Sequence, residues 1–288
     1  MNRIVVLAIT MTPCGASAAG FSDWTSRLEC RFSGRAASDG PGLPGAEFQD
    51  IEWVTIPGGR FAMGAGDSVE GFSEAKPAHM VDITTFEMSK TPVTVRQYKE
   101  CVDACECTEP AGGGYCNWDE PGRELHPVNC LRWEQAVQYA RFKGARLPSE
   151  SEWEYAARSG GMDLLYPWGN EPATCEKAVM SGDLGDGCGA GGTMPVCSKP
   201  AGRTGHGLCD MAGNVWQLLQ DAYEYSYEEA PADGRPVEGR GSRKVMRGGS
   251  FRDSDAVNLR VYYRSDSYGP LYRPDFIGFR LAKDHTPE

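Results

Sequence analysis

The chain has 288 residues, of which 40% are hydrophobic, and its formal net charge is −11 at pH 7. This is a globular composition, and the negative charge argues against nucleic acid as a partner because phosphate binding requires concentrated lysine and arginine. No internal apolar run approaches the roughly 20 residues of a membrane-spanning helix, so we expect a protein that does not span a membrane.

The N-terminal segment predicts export. Arg3 supplies a positive charge, residues 4–11 are apolar, and Ala16-Ser17-Ala18 is a small-residue cleavage site, so residues 1–18 have the order of a signal peptide. Cleavage removes Cys14 and leaves an even number of cysteines, as expected of a disulfide-bonded protein in the periplasm or outside the cell. These cysteines are Cys30, Cys101, Cys105, Cys107, Cys116, Cys130, Cys175, Cys188, Cys197 and Cys209.

Residues 19–50 are rich in glycine, proline and serine and predict a loosely packed lead-in to a domain over residues 51–284. This domain begins with short apolar segments that glycine, proline or polar residues bound, which is typical of strands. The predicted strand segments are "IEWVTIP", "GRFAMG" and "MVDITTFEMS".

Three segments with apolar residues at helical spacing predict helices. The first runs from Val95 to about Ala104 after the N-cap residue Thr94, and the second covers about residues 131–143. The third begins at Ser149, where a glutamate three residues later completes a capping box, and it ends at a glycine pair. From Tyr166 onward the chain is punctuated by glycine, and we expect mostly loop that disulfides or bound cations fix.

Seven segments resemble, in order, motifs of the formylglycine-generating enzyme family, also called the sulfatase-modifying factor domain. The resemblance covers about residues 52–283 and implies an α+β fold, a single irregular, loop-rich domain related to C-type lectins. The segments are "WVTIPGGRFAMG", "HPVNCLRWEQAVQYARF", "RLPSESEWEYAARSG", "YPWGNEP", "GLCDMAGNVWQ", "RVYYRSD" and "MRGGSF…IGFRLAK".

The resemblance raises the question of copper. The best-known members of the family bind copper through two cysteines and use molecular oxygen to oxidise a substrate cysteine to formylglycine. In register with that pair, this chain has Asp253 and Asn258, and it has no cysteine after Cys209. Hard oxygen ligands do not reproduce a Cu(I) thiolate site, so we expect no copper and assign no catalytic residue.

Calcium is the other cofactor that the resemblance implies. One family site corresponds to the Asp210 side chain, the carbonyls of Gly213 and Val215, and Gln217, which replaces a glutamate. A second site corresponds to Met180, Asp186 and Cys188 and has Val179 where the family has an asparagine. Calcium prefers six to eight oxygen ligands, so both sites are incomplete in this chain. Turn capping by Asp186 or Asp210 is the structural alternative.

The cysteine spacing leaves the connectivity open. Cys101, Cys105, Cys107 and Cys116 follow the pattern C-x3-C-x-C-x8-C, which admits zinc, but export favours disulfides. Loop length suggests that Cys101 pairs with Cys116 and that Cys175 pairs with Cys188.

The candidate ligand groove is in the C-terminal part of the chain. Ser250, Arg252 and Arg264, together with nearby tyrosines, predict either a groove for a peptide or glycan or buried arginine–carboxylate pairs. Our leading hypothesis is an exported binding or accessory module without copper-dependent formylglycine synthesis. The alternatives are an oxidoreductase of the same family with altered chemistry at Asp253 and a calcium-dependent, lectin-like glycan binder.

Overall fold

The computed structural model describes residues 50–239, 241–267, 269 and 271–286. The predicted signal peptide, nearly all of the lead-in, Cys14 and Cys30 lie outside these residues. The described helices and strands are, in chain order, β1 (Trp53–Ile56), β2 (Gly59–Met63), β3 (His79–Ile83), β4 (Phe86–Ser89), α1 (Val95–Asp103), α2 (Trp133–Phe142), α3 (Glu150–Ala157), β5 (Trp216–Ala222), β6 (Lys244–Arg247), β7 (Arg264–Asp266), β8 (Ile277–Phe279) and β9 (Ala282–Asp284).

Side-chain caps determine where the helices begin. At the start of α1, Thr94 accepts a hydrogen bond from the Gln97 backbone N–H (3.2 Å), and Gln97 accepts one in return from the Thr94 N–H (2.9 Å). Ser149 and Glu152 form the same reciprocal pair before α3. Each pair satisfies two backbone donors that have no partner within the helix. The three predicted helices are confirmed, with ends that differ by up to a few residues.

The strands form three separate sheets. β1, β4 and β9 are antiparallel neighbours, β2 and β3 form a hairpin, and the largest sheet has the order β7-β6-β5-β8. This four-stranded sheet lies where the sequence predicted mostly loop. The reason is that every residue of β5 except one is buried, so the alternation of apolar and polar residues that marks a half-buried strand is absent. Helices and sheets with long connecting loops make up the α+β fold.

The core is organised around α3. Trp153 is fully buried, and its indole N–H donates to the Gln217 side-chain carbonyl (2.9 Å), which connects the helix to β5. A second apolar cluster on the other side of β5 includes Tyr98, Tyr139 and Phe279, whose rings pack within 6.4 Å of one another. None of the helices in the described part of the chain has the length and apolar character that a bilayer crossing requires.

A buried ion cluster connects α3 to β6. The carboxylate of Glu154 accepts hydrogen bonds from Arg158 Nε and from the Gly64 backbone N–H, both at 2.9 Å, and also from Arg247. Glu154 and Arg247 have no exposed surface. Burial alone would raise the pKa of Glu154, but Arg158 and Arg247 lower it below its usual value. The carboxylate is therefore ionised and pairs with both guanidinium groups, and Arg247 has a second buried partner in Glu150, 3.0 Å from its Nε.

Disulfides fix the loops. The structure contains the pairs Cys101–Cys107, Cys116–Cys130, Cys175–Cys188 and Cys197–Cys209, and Cys105 is also disulfide-bonded. The predicted pair Cys175–Cys188 is confirmed. The predicted pair Cys101–Cys116 is wrong, because the turn after α1 brings Cys107 back to Cys101, where its N–H donates to the Cys101 carbonyl (3.2 Å).

The buried ion cluster generates a stability prediction. We expect Glu154→Gln to lower the free energy of unfolding by about 3 to 5 kcal/mol, because it removes the carboxylate that pairs with the buried Arg158 and one of the two that pair with Arg247. Glu87→Gln is the matched control, since Glu87 pairs with Lys283 at 3.0 Å on a partly exposed surface and should cost about 1 kcal/mol or less. Urea unfolding measures both, and equal effects would contradict the prediction.

Candidate functional site

The cleft that contains the predicted groove residues lies on one face of the four-stranded sheet. Trp216 on β5, Met246 on β6 and Ser265 on β7 form its floor. Met246 is paired with Ser265 and with Leu218 across the sheet. Trp216 lies two residues from Leu218 on β5 and therefore points to the same face. Its volume is about 210 Å³. The remaining lining residues come from the loops that follow β6 and β7 and precede β8: Ser250, Arg252, Asp253, Asn258, Tyr263 and Phe276.

Two glycines shape the turn that carries Ser250 into the cleft. Gly248 and Gly249 have φ values of 97° and 70°, which favour glycine. A Cβ atom on Gly248 would lie 2.7 Å from the Met211 carbonyl oxygen, and one on Gly249 would lie 3.1 Å from that of Asn258. The glycine pair therefore lets the backbone turn sharply and pack closely against the loop that contains Asn258.

Asp253 and Asn258, which the sequence predicts to stand in the place of two cysteines, are hydrogen-bonded to each other. Asn258 Nδ2 donates to Asp253 Oδ1 at 2.5 Å. The other carboxylate oxygen accepts from the Ser250 N–H and hydroxyl, both at 2.8 Å, and from the Trp216 indole N–H at 3.0 Å. Five of the cleft's polar groups are thus bound to one another.

This arrangement determines what the cleft can do chemically. A carboxylate accepts about four hydrogen bonds, and Asp253 already accepts four, three at Oδ2 and one at Oδ1, so its charge is largely taken up by these donors and it is a weak base or nucleophile without rearrangement. Of the described residues that line the cleft, none is cysteine or histidine. Apart from the thioether of Met246, the cleft therefore provides hard oxygen and amide groups between aromatic walls, and this set has no thiolate for Cu(I).

The two predicted groove arginines lie at different places. Arg252 is on the rim of the cleft, where it donates to the Asp275 carboxylate (2.6 Å) and stacks on Tyr115, with the guanidinium carbon 4.9 Å from the ring centroid. Arg264 is buried and forms a two-pronged pair with Glu150, with distances of 2.8 and 2.6 Å. The structure thus brings Arg252, but not Arg264, to Ser250.

Arg264 lies at the base of a second cavity of about 710 Å³. Tyr225 and Tyr227 line this cavity as well, so the segment that contains these two tyrosines forms part of a concave surface. This cavity is acidic, in contrast to the arginine-lined groove that the sequence predicts. Four of its lining residues are glutamates: Glu224, Glu228, Glu229 and Glu238.

Comparison with protein families matches residues 44–285 to the sulfatase-modifying factor enzyme 1-like domain. The match covers the cleft, the four disulfides and every described strand and helix. The chain belongs to the sulfatase-modifying factor family.

The relatives of this chain have names that indicate different activities. The formylglycine-generating enzyme of Streptomyces coelicolor is 31% identical over 80% of this chain and 88% of that enzyme. The serine/threonine-protein kinase Pkn1 of Chlamydia trachomatis is 34% identical over 81% of this chain, but the chain spans only 38% of the kinase's length. The hercynine oxygenase of Mycolicibacterium smegmatis is 28% identical over 85% of this chain and 62% of the oxygenase.

Solved structures share the fold. PvdO from Pseudomonas aeruginosa superposes with a TM-score of 0.69 at 25% identity, over 82% of this chain and 95% of PvdO. The Treponema denticola variable protein 1 superposes with a TM-score of 0.63 at 22% identity, over 81% of this chain and 95% of that protein. The shared fold therefore extends over nearly the whole of both of these proteins.

The residues at the first family calcium site are engaged with one another. Gln217 Oε1 accepts from Trp153 Nε1 (2.9 Å) and from Arg280 Nε (2.6 Å), and its amide nitrogen donates to the Asp210 carbonyl (2.8 Å). One Asp210 carboxylate oxygen accepts from the Cys197 N–H at 2.7 Å. Gln217 consequently has no free ligand atom, and this site does not fit calcium.

A guanidinium supplies the positive charge at this position. Arg280 is fully buried and donates to the backbone carbonyls of Ser89 (3.0 Å) and Cys209 (2.7 Å) in addition to Gln217. Burial lowers the pKa of Arg280 to about 9, and Asp210 opposes the shift, so the group is charged at neutral pH. A buried cation that donates to Gln217, one of the predicted calcium ligands, repels a second cation at this position.

The second family calcium site is also sparse. The Met180 carbonyl accepts from the Cys188 N–H (2.8 Å), and the Val179 carbonyl accepts from Asn214 (2.8 Å). Asp186 supplies the only carboxylate of the set. Within the described residues, no group of three or more histidine, cysteine, aspartate or glutamate side chains is arranged to hold a metal ion.

The burial of Asp210 generates a pH prediction. Burial raises its pKa to about 6, although the Cys197 N–H, Arg280 and Arg203 oppose the shift. The folded protein thus keeps a proton that the unfolded chain releases near pH 4. Stability conferred by this proton is present below about pH 4, falls as the pH rises to about 6, and stays low above it.

We expect wild type to lose about 3 kcal/mol of unfolding free energy relative to Asp210→Asn between pH 4 and pH 8. Asparagine keeps the acceptor for Cys197 and tolerates the φ of 51° at this position. Urea unfolding across this range measures the difference, and a constant difference would show that Asp210 does not titrate in this way. Added calcium is the control, because it should stabilise neither protein if Arg280 fills the site.

Proposed function

We propose that this chain is an exported binding module of the sulfatase-modifying factor family that does not carry out copper-dependent formylglycine synthesis. The observation that carries the proposal is the hydrogen bond between Asp253 and Asn258 at 2.5 Å. It joins the two positions where the copper-binding thiolates stand in the family's best-known members, and both side chains are already bound to neighbouring groups.

The cysteine distribution supports both parts of this proposal. Four disulfides among the described residues suit an oxidising compartment, which agrees with the signal peptide that the sequence predicts. All the cysteines precede Gly248, those in the four disulfides stabilise loops of the scaffold, and among its described lining residues the cleft has no thiol, only the thioether of Met246. The chain keeps the disulfide chemistry of an exported protein and has lost the thiol chemistry of the oxidase.

The cleft's size and lining favour an extended peptide as the ligand. A volume of about 210 Å³ is below the roughly 300 to 1,000 Å³ of pockets that enclose a whole small molecule. It suits one side chain of a longer ligand lying across the sheet face. Trp216 in the floor and Tyr263 and Phe276 in the walls provide aromatic surfaces. Such surfaces favour contacts with a peptide side chain because large, rigid rings lose little conformational entropy on binding.

Altered oxidoreductase chemistry at Asp253 is less well supported. It would require a carboxylate oxygen directed at the ligand, whereas three donors converge on Oδ2 and one on Oδ1. The glycan alternative required calcium, and the Gln217 and Arg280 contacts argue against the metal at the better of the two sites.

The copper prediction uses the pair of replaced positions. We expect wild type to take up no Cu(I) and to consume no oxygen with a cysteine-containing sulfatase peptide, because the described cleft residues offer no thiolate and a single thioether, that of Met246, does not form a two-coordinate Cu(I) site. Asp253→Cys with Asn258→Cys should bind one Cu(I) per chain, and the matched double serine variant should bind none. Anaerobic competition with bicinchoninate, using tetrakis(acetonitrile)copper(I), avoids thiol reductants that would break the disulfides. Stoichiometric copper in wild type with peptide turnover would refute the proposal.

The binding prediction tests the cleft directly. Peptides selected on the wild-type protein from a random phage-displayed library should lose most of their affinity for Ser265→Trp, because the indole fills the floor of the cleft. Ser226→Trp is the matched control, since Ser226 lines the acidic cavity instead. Surface plasmon resonance of each folded variant measures the affinities. Failure to select any peptide, or equal binding to the Ser265→Trp variant, would contradict a peptide-binding cleft.

A further inference from the structure

A lysine and a tryptophan form a fixed pair at the far end of the same sheet face. Lys244 Nζ lies 4.3 Å from the centroid of the Trp133 ring and donates to the Gln220 carbonyl at 3.0 Å. The Trp133 indole N–H donates to the Leu219 carbonyl at 2.8 Å, which holds the ring in place. Both partners are therefore positioned by β5.

A second pair of the same kind shows what is unusual about Lys244. Lys283 Nζ lies 4.4 Å from the Trp53 ring centroid, and a carboxylate oxygen of Glu87 lies 3.0 Å from it. Lys244 has no such partner, since no carboxylate oxygen of the described residues lies within 4.0 Å of its ammonium group. Burial lowers the pKa of Lys244, and Asp221 and Glu134 only partly offset the shift.

The ammonium group faces a small cavity. Its volume is about 140 Å³, which corresponds to roughly five water molecules at the density of the liquid. Leu131, Leu218 and Ile277 form an apolar floor, while Trp133 and Lys244 stand in the walls with the hydroxyl groups of Ser242, Ser267 and Tyr272. Glu134 also lines the cavity, but its side chain is exposed to solvent, which screens its charge. An apolar floor below one partly buried cation and several hydroxyl groups matches a short hydrocarbon with a single negative group at its end.

Strand geometry places this cavity beside the cleft. Each of three strands contributes one residue to the cleft and the residue two positions away to the cavity: Trp216 and Leu218, Met246 and Lys244, and Ser265 and Ser267. Residues two apart share a face, so the cleft and the cavity are neighbouring depressions on one surface. The cavity has its own lining and stands independently of what the cleft binds.

We propose that this cavity is a binding site for a carboxylate with a short apolar body, such as an acidic side chain or a small free acid. The ligand's carboxylate takes the place at Lys244 that Glu87 takes at Lys283, and its hydrocarbon covers Leu218 and Ile277. A phosphate fits less well, because it requires several cationic or N–H donors and Lys244 is the only cation among the described lining residues.

The test uses 4-methylpentanoate as the probe and its neutral amide, 4-methylpentanamide, as the matched ligand control. Titration of the full-length mature protein is followed by the indole N–H signal of Trp133 in a nitrogen-15 correlation spectrum, assigned with Trp133→Phe. We expect the acid to shift this signal saturably and the amide to bind at least about tenfold more weakly, since hydrogen bonds to charged groups contribute about 1.5 to 3 kcal/mol.

Variants separate the charge from the shape of the site. Lys244→Met keeps the aliphatic chain over Trp133 and should weaken binding of the acid at least about tenfold, whereas Lys244→Arg should retain most of it. Lys283→Met is the matched protein control and should leave binding unchanged. Equal affinities for acid and amide, unchanged binding to folded Lys244→Met, or no shift at about 50 mM acid, well above the millimolar range expected of a small ligand, would each overturn the proposal.

Discussion

The interaction on which the rest of the structure depends is the buried contact between Glu154 and Arg247. Glu154 belongs to α3, and Arg247 is the last residue of β6, directly before the two glycines that turn the chain into the cleft. Arg247 also donates to the carbonyls of Val261 and Tyr263, at 2.8 and 2.9 Å, and so fixes the loop that supplies the cleft's aromatic wall. A buried pair of this kind adds little net stability compared with apolar packing, but it determines where two loops must lie.

Hydrogen bonds among side chains hold the loop that lines the cleft. Asn258 donates to the Asp253 carboxylate at 2.5 Å, and Ser250 and Trp216 complete the ring of donors around it. The loop between β6 and β7 thus takes its shape from contacts within the chain. In the function that we propose, this network occupies the positions at which the family's best-known members bind copper, so the scaffold persists while its chemistry differs.

The sequence predicted local features better than distant ones. Helix starts were predictable because Thr94 and Ser149 cap within three residues, and register with the family motif drew attention to Asp253 and Asn258, whose hydrogen bond only the structure shows. The four-stranded sheet was not predictable, because β5 is buried on both faces and therefore lacks alternation. The hydrogen bond from Arg280 to Gln217 was not predictable either, because these residues are 63 positions apart. The carboxylate-binding cavity was missed for the same reason, as Lys244 and Trp133 are distant in the chain and neither belongs to a recognised motif for acid binding.

Three buried or partly buried cations differ in how many acceptors the fold supplies to them. Arg247 is neutralised by carboxylates, and Arg280 is surrounded by neutral carbonyl oxygens of the backbone and by Gln217. In both cases the fold itself supplies the acceptors that a desolvated cation needs. Lys244 has one carbonyl and the face of an indole ring, and an open cavity takes up the remaining direction. Lys244 is therefore a cation that its own chain satisfies incompletely, and the surface beside it is concave. An external carboxylate in this cavity gains the interaction with the ammonium group that the fold does not supply.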